Sequence, residues 1–184
     1  MNLWAIDTPK EPSLPYLPNE TNEEKKKDSK KETRTFTQSI NVKLCDGREV
    51  SGTIELHKEE LTLVHNKDGI NYEKKIELSN LTSITILSWE GRKGKKNKEG
   101  TTYQFMPLDI VIKEKTGDTF HIQTLKETEF LALSLKNRNG IARLFAFWVD
   151  LQMESGKWFS KIPTNKNNQR EECHPDVWKQ IKFY

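Results

Sequence analysis

Only two cysteines, Cys45 and Cys173, occur among the 184 residues of the chain. Two are too few for a disulfide-dense scaffold, and a structural zinc site takes about four ligands. Long apolar runs are lacking as well: none approaches the roughly 18 residues that a membrane-crossing helix needs. The opening MNLWAIDTPKEPSLPYLP does not have the basic-then-apolar layout of a secretory signal. A cytoplasmic chain without a membrane span is the expectation. Charge of one sign is also scarce, since 30 Lys and Arg face 27 Asp and Glu for a net of +3. Proteins that neutralise many phosphates usually carry a larger positive excess on one domain.

Catalytic signatures are missing in the same way. There is no phosphate-binding glycine motif, no G-x-S-x-G, no H-E-x-x-H and no kinase set. His57, His65, His121 and His174 are scattered along the chain, and Cys173-His174 has no third ligand near it in sequence. The acidic pairs Glu59-Glu60 and Glu171-Glu172 fall in expected turns and tails, where nothing raises a carboxylate toward acid-base work. The sequence therefore predicts no enzyme, no cofactor and no metal site.

What is present falls into three parts. Residues 1–34 begin with Pro9, Pro12, Pro15 and Pro18, which oppose helix, and continue into Glu20–Arg34, where 11 of 15 residues are charged and none is apolar. This reads as a disordered tail that carries an apolar cluster including Leu3, Trp4 and Ile6. Residues 35–160 read as one folded domain. Residues 161–184 read as a flexible tail that ends in Val177, Trp178, Ile181 and Phe183. Exposed apolar residues beyond tethers are docking elements, so Leu3, Trp4, Ile6, Trp178 and Phe183 are candidates for capturing a protein partner.

Within the domain, β-branched and alternating runs separated by short turn signals predict antiparallel strands. They fall at Phe36–Leu44, Glu49–Leu56, Leu61–His65, Lys74–Leu78, Ser83–Trp89, Tyr103–Met106, Asp109–Glu114 and Asp118–Gln123. Asp46-Gly47, Asp68-Gly69 and Thr116-Gly117 mark the turns. Farther on, Asn139-Gly140 could turn a hairpin between two alternating flanks. Ile141, Leu144, Phe145, Trp148 and Leu151 also match the i, i+3, i+4, i+7 stripe of a helix, with Asn139 as cap and Gly156 as stop. The helix is preferred, over Gly140–Glu154. The expected fold is thus mainly β, a small antiparallel β-barrel closed by a C-terminal α-helix.

The most suggestive polar element is the glycine-punctuated stretch from Glu90 to Gly100. It holds Arg92, Lys93, Lys95, Lys96 and Lys98 against two glutamates. Read as a long, mobile loop, it is the candidate contact for an anionic ligand, either RNA backbone or anionic lipid.

Two families are similar in pattern. Val42 to Asn66, VKLCDGREVSGTIELHKEELTLVHN, resembles the first half of an Sm-like barrel, and the Hfq form in particular: Leu44, the Asp46-Gly47 turn, Gly52, Ile54 and Leu61 to Val64 match without a gap. The Hfq uridine-binding histidine has no counterpart, because Lys75 and Ile76 stand near its place. The resemblance implies a strongly bent barrel more directly than it implies RNA binding. The order of strands followed by an aromatic helix from Thr35 to Met153 also resembles pleckstrin-homology and GRAM domains. An Hfq-like opening with long extensions is similar, too, to an Hfq-like family encoded in bacterial flagellar loci, which implies protein partners at the cytoplasmic side of a flagellar motor. The expected function is a non-enzymatic adaptor; the alternative is an Hfq-like RNA-binding regulator.

Overall fold

The computed structural model describes residues 35–125 and 128–184. The expectations for residues 1–34, including Leu3, Trp4 and Ile6, lie outside the described residues. Twelve strands occur among the described residues. They are β1 (Phe36–Leu44), β2 (Glu49–Leu56), β3 (Glu60–Lys67), β4 (Ile70–Glu77), β5 (Leu81–Lys96) and β6 (Gly100–Glu114). Then follow β7 (Thr119–Ile122), a single helical turn α1 (Thr128–Leu131), β8 (Ala132–Asn137), β9 (Gly140–Phe145), β10 (Trp148–Met153), β11 (Gln169–Arg170) and β12 (Trp178–Phe183).

The main sheet runs β10-β6-β5-β12-β1-β2-β8-β9, with β11 paired to β5 and β7 paired to β6. All of its ladders are antiparallel. Strands β3 and β4 form a separate hairpin. That hairpin contributes Leu61, Leu63 and Ile76 to the common core, and its Lys74 pairs with Glu114 of the main sheet at 2.8 Å and lies 4.3 Å from the Phe120 ring centroid. The sheet does not close into a barrel. Its two terminal strands, β9 and β10, are joined in the chain by Ala146 and Phe147, yet no ladder connects them.

No helix covers the sheet at Gly140–Glu154, which corrects the expected C-terminal closure. These residues form β9 and β10, and burial alternates through the link: Leu144, Ala146, Trp148 and Asp150 are buried, while Phe145 and Val149 are exposed. A helix would turn Ile141 inward with Leu144, but Ile141 is 70% exposed. Gly140 adopts φ +118°, which favours glycine, and it pairs with Asn137 to close the β8–β9 hairpin.

The expected flexible tail at 161–184 is corrected too. β12 lies inside the main sheet between β1 and β5, and Trp178, Ile181 and Phe183 are core residues. Trp178 and Ile181 stand three apart, a spacing that reads as helical. A β-bulge produces it: Lys43 pairs with Gln180 and Leu44 with Trp178, so Lys179 is an extra residue and both apolar neighbours face inward. Trp178 is fully buried and donates its indole N–H to the Phe130 carbonyl at 3.0 Å. Trp89, also fully buried, donates to the Ala146 carbonyl at 2.7 Å. Tryptophan is tolerated this deep because its one polar group is satisfied.

Glycine carries a packing role at position 52. A Cβ there would stand 2.5 Å from the Lys136 carbonyl oxygen and 2.6 Å from Leu135 Cδ2. Strand β8 can approach β2, pairing Thr53 with Lys136 and Ile54 with Leu135, because nothing projects from Gly52.

Candidate functional site

The five basic residues of the 90–100 stretch do not form a loose loop. Glu90 to Lys96 continue β5, paired to β6 beyond the last apolar position, and only Asn97 to Glu99 turn the chain. The turn is ordered by Asn97, whose Oδ1 accepts from the N–H groups of Glu99 and Gly100 at 3.0 Å each. Strand geometry then separates the charges. Arg92 pairs across to Gln104 and Lys93 to Tyr103, so these neighbouring side chains leave opposite faces of the hairpin. The basic stretch is therefore divided between two faces rather than gathered into one track.

One of those faces leads to the most elaborate polar centre in the molecule. Tyr103 pairs with Asp150 of β10, and its ring meets Trp158 edge-on with centroids 5.0 Å apart. Asp150 is buried and accepts from Arg170 Nη1 at 2.7 Å, from the Ser160 hydroxyl at 2.5 Å, and from the N–H groups of Ser160 and Leu151 at 3.1 and 2.9 Å. Arg170, fully buried in its side chain, donates through Nε to Thr164 Oγ1 at 2.7 Å. Its guanidinium carbon lies 3.8 Å from the Phe105 ring centroid and 4.4 Å from that of Trp158. Burial alone would raise the Asp150 carboxyl, but the hydrogen bonds from Ser160 and Arg170 outweigh it and hold the group below its ordinary 3.8. Burial lowers Arg170, opposed by Asp150. Through Ser160 and Thr164 the pair fixes the position of the segment that carries them.

What it positions is the 153–164 loop. Ser160 is turned inward onto Asp150, so its neighbours Phe159 and Lys161 are left outside; Phe159 is 73% exposed. Lys161 takes φ +63°, a left-handed conformation that a lysine holds only where its surroundings impose it. Beside them lies a mostly apolar cavity of about 700 Å³, walled by Met153, Trp158, Phe159, Ile162 and Pro163, with Lys157 and Lys161 also on its wall. In the sequence alone, aromatic residues such as Trp158 and Phe159 are indistinguishable from core residues. The run Lys157-Trp158-Phe159-Ser160-Lys161, two aromatics bracketed by cations, was the available signal.

A second exposed feature lies at β9, the terminal strand beyond β8. Ile141 is 70% exposed and Phe145 42%, and Val149, just past the link, is 63% exposed. Alternation along β9 directs the N–H and C=O groups of every second residue away from β8, toward an edge whose one further strand pairing among the described residues is the Phe145–Val177 bridge.

The other expected residues are placed as follows. Trp178 and Phe183 are buried in the core and offer no docking surface, a correction with the same cause as the misread tail. Cys173 is joined to Cys45 in a disulfide, with Cα atoms 5.8 Å apart. Beside it, Arg48 bridges Asp46 and Asp176 at the surface. His65 stacks on Tyr72 and meets Phe120, whereas His57 lies 3.9 Å from Glu129 and His174 3.9 Å from Asp176. Among the described residues no three His, Cys, Asp or Glu side chains are grouped to hold a metal ion, and no helix is long and apolar enough to cross a membrane. Compared with protein-family models, curated proteins and solved structures, the chain matches none.

Proposed function

We propose that this chain is a non-enzymatic protein-interaction module whose partner adds a strand to the β9 edge. The observation that carries the reading is the conjunction, on one terminal strand, of outward-directed backbone groups with exposed Ile141 and Phe145. An edge of this kind pairs with extended chain, main-chain hydrogen bonds supplying affinity and alternate side chains selectivity. The Hfq-like RNA reading has less support, because the basic residues divide between two faces of a hairpin. The disulfide favours an oxidising compartment over the cytosol.

The test places a photo-crosslinking residue at Ile141 and, as control, at Lys115 in the β6–β7 turn. A discrete protein adduct from Ile141 and none from Lys115 supports the reading, and adding Phe145→Lys to the crosslinker-bearing chain should abolish that adduct while the chain still melts cooperatively. A flagellar protein is the first candidate to test, from the resemblance of Val42–Asn66. Tight, sequence-selective binding of single-stranded RNA, with no protein adduct at Ile141, would replace this reading with the RNA-binding one.

A further inference from the structure

The apolar cavity beside Phe159 and the basic end of the β5–β6 hairpin are neighbours. Gly100, at the base of the hairpin turn, packs so closely on β10 that a Cβ there would stand within 3 Å of the Gln152 carbonyl carbon and oxygen. Lys96, Gly100, Met153 and Gly156 line one shared cavity, and Met153 also walls the cavity of Phe159. One end of the molecule therefore presents residues 90–100 and 153–164 together. They carry seven basic and three acidic side chains.

We propose that this end docks on the surface of an anionic lipid bilayer, with Phe159 inserted at the acyl boundary and Lys157, Lys161 and Lys96 at headgroup phosphates. Three observations select this occupant. Phe159 is exposed by construction, since Asp150 holds Ser160 inward and Lys161 is kept left-handed, so the apolar tip cannot fold back without breaking the hydrogen bonds from the Ser160 N–H and hydroxyl to Asp150. The cations flank the aromatic directly, the arrangement that suits an interface with apolar interior and anionic rim. The cavity wall next to Phe159 holds the aliphatic Met153, Ile162 and Pro163, and its other aromatic, Trp158, is already engaged by Tyr103 and Arg170, so the surface suits an acyl chain better than stacked nucleic-acid bases. This docking does not depend on the β9 edge, and neither result decides the other.

The experiment is co-sedimentation of the full, disulfide-bonded chain with vesicles of phosphatidylcholine alone or of equal parts phosphatidylcholine and phosphatidylglycerol. Binding to the anionic vesicles only, falling as salt rises, is the expected result. Phe159→Ser should weaken it about tenfold, Phe159→Leu should largely restore it, and Lys157→Ser or Lys161→Asn should each cost roughly fivefold. Melting curves confirm that each variant is folded, and Ile70→Ser, at another exposed apolar residue, should bind as the native chain does. Equal binding to both vesicle types overturns the proposal, as does no binding to either. Indifference to Phe159→Ser, or displacement by single-stranded RNA while Phe159→Ser has no effect, overturns it in favour of charge alone or of nucleic acid.

Discussion

Two corners of the molecule fasten late segments of the chain to the sheet, and they do it by opposite means. At one, Arg170 of β11 is held by Asp150 of β10, both side chains buried, with Phe105 and Trp158 against the guanidinium. At the other, the segment leading into β12 is held by the Cys45–Cys173 disulfide, and the charges nearby, Arg48, Asp46 and Asp176, all face water. Geometry alone would rank the two sets of ion pairs as equals, since both have short contacts. Burial decides the difference. A charge inside the fold that loses its partner has no water to turn to, whereas an exposed one merely resumes hydration.

The largest expected effect is therefore at the buried pair. Asp150→Ala should cost about 3–5 kcal/mol in chemical denaturation, because it strands Arg170. Replacing both residues with apolar ones, Asp150→Leu with Arg170→Met, should cost less than the single change. A double variant as unstable as Asp150→Ala alone would show that the pair supplies net attraction beyond relieving its own desolvation, and one as unstable as the sum of the two single changes would show no coupling between them. The pH dependence has a definite sign. Asp150 is depressed in the folded chain, so its contribution is complete above the ordinary carboxyl value of 3.8 and disappears as pH falls through the lower, folded value. Acid titration of the native chain against Asp150→Asn should show that component missing from the variant.

Next in size is the covalent corner. The disulfide closes a separation of 128 residues, and converting Cys45 and Cys173 together to serine should cost about 2–4 kcal/mol, read as a lowered melting temperature that reductant reproduces in the native chain. A variant as stable as the oxidised protein would mean that the exposed ion pairs and the β1–β12 ladder suffice there.

Gly52→Val offers a steric yardstick between the extremes, since the added side chain meets Lys136 and Leu135 where β8 pairs with β2. It should cost about 1–3 kcal/mol, measurable by thermal melting, and loosen hydrogen-exchange protection in β8 first. The smallest effect belongs to Arg48→Ala, expected at the limit of detection in the same melting experiment despite two salt bridges. A clear loss there would break the comparison, by showing that exposure does not discount this cluster.

Sequence pattern was informative where strands pair with neighbours in the chain. β1 and β2 lie at the expected bounds, because Asp46-Gly47 marks their turn and apolar alternation marks their faces. It failed where a strand is defined by distant partners. Glu90 to Lys96 contains no apolar residue, and only the ladder to β6 makes it extended. Tyr103–Met106 and Asp109–Glu114 looked like two strands, yet β6 runs through Pro107, which is accommodated at an irregularity of the ladder opposite Trp89. The stripe from Ile141 to Leu151 satisfied both periods, and tertiary pairing chose the strand. Of the candidate site, the basic residues were legible but their division between faces was not. Phe159 was invisible as a surface group, because its exposure follows from where Asp150 and Arg170 hold Ser160 and Thr164, side-chain contacts that no periodicity of the sequence marks.

The position of β12 has a consequence for synthesis. β1 is translated first among the described strands and β5 well before β12, but each waits for the same neighbour, Trp178–Phe183, the last of the described strands to be made. Until β12 is made, both strands display open edges on a chain that cannot complete its sheet. Nascent copies on one message carry identical unsatisfied edges and are positioned to pair with one another. Completion of the main sheet is thereby a late step in folding, and the yield of the protein in the cell should respond to a chaperone that covers extended apolar segments during that interval.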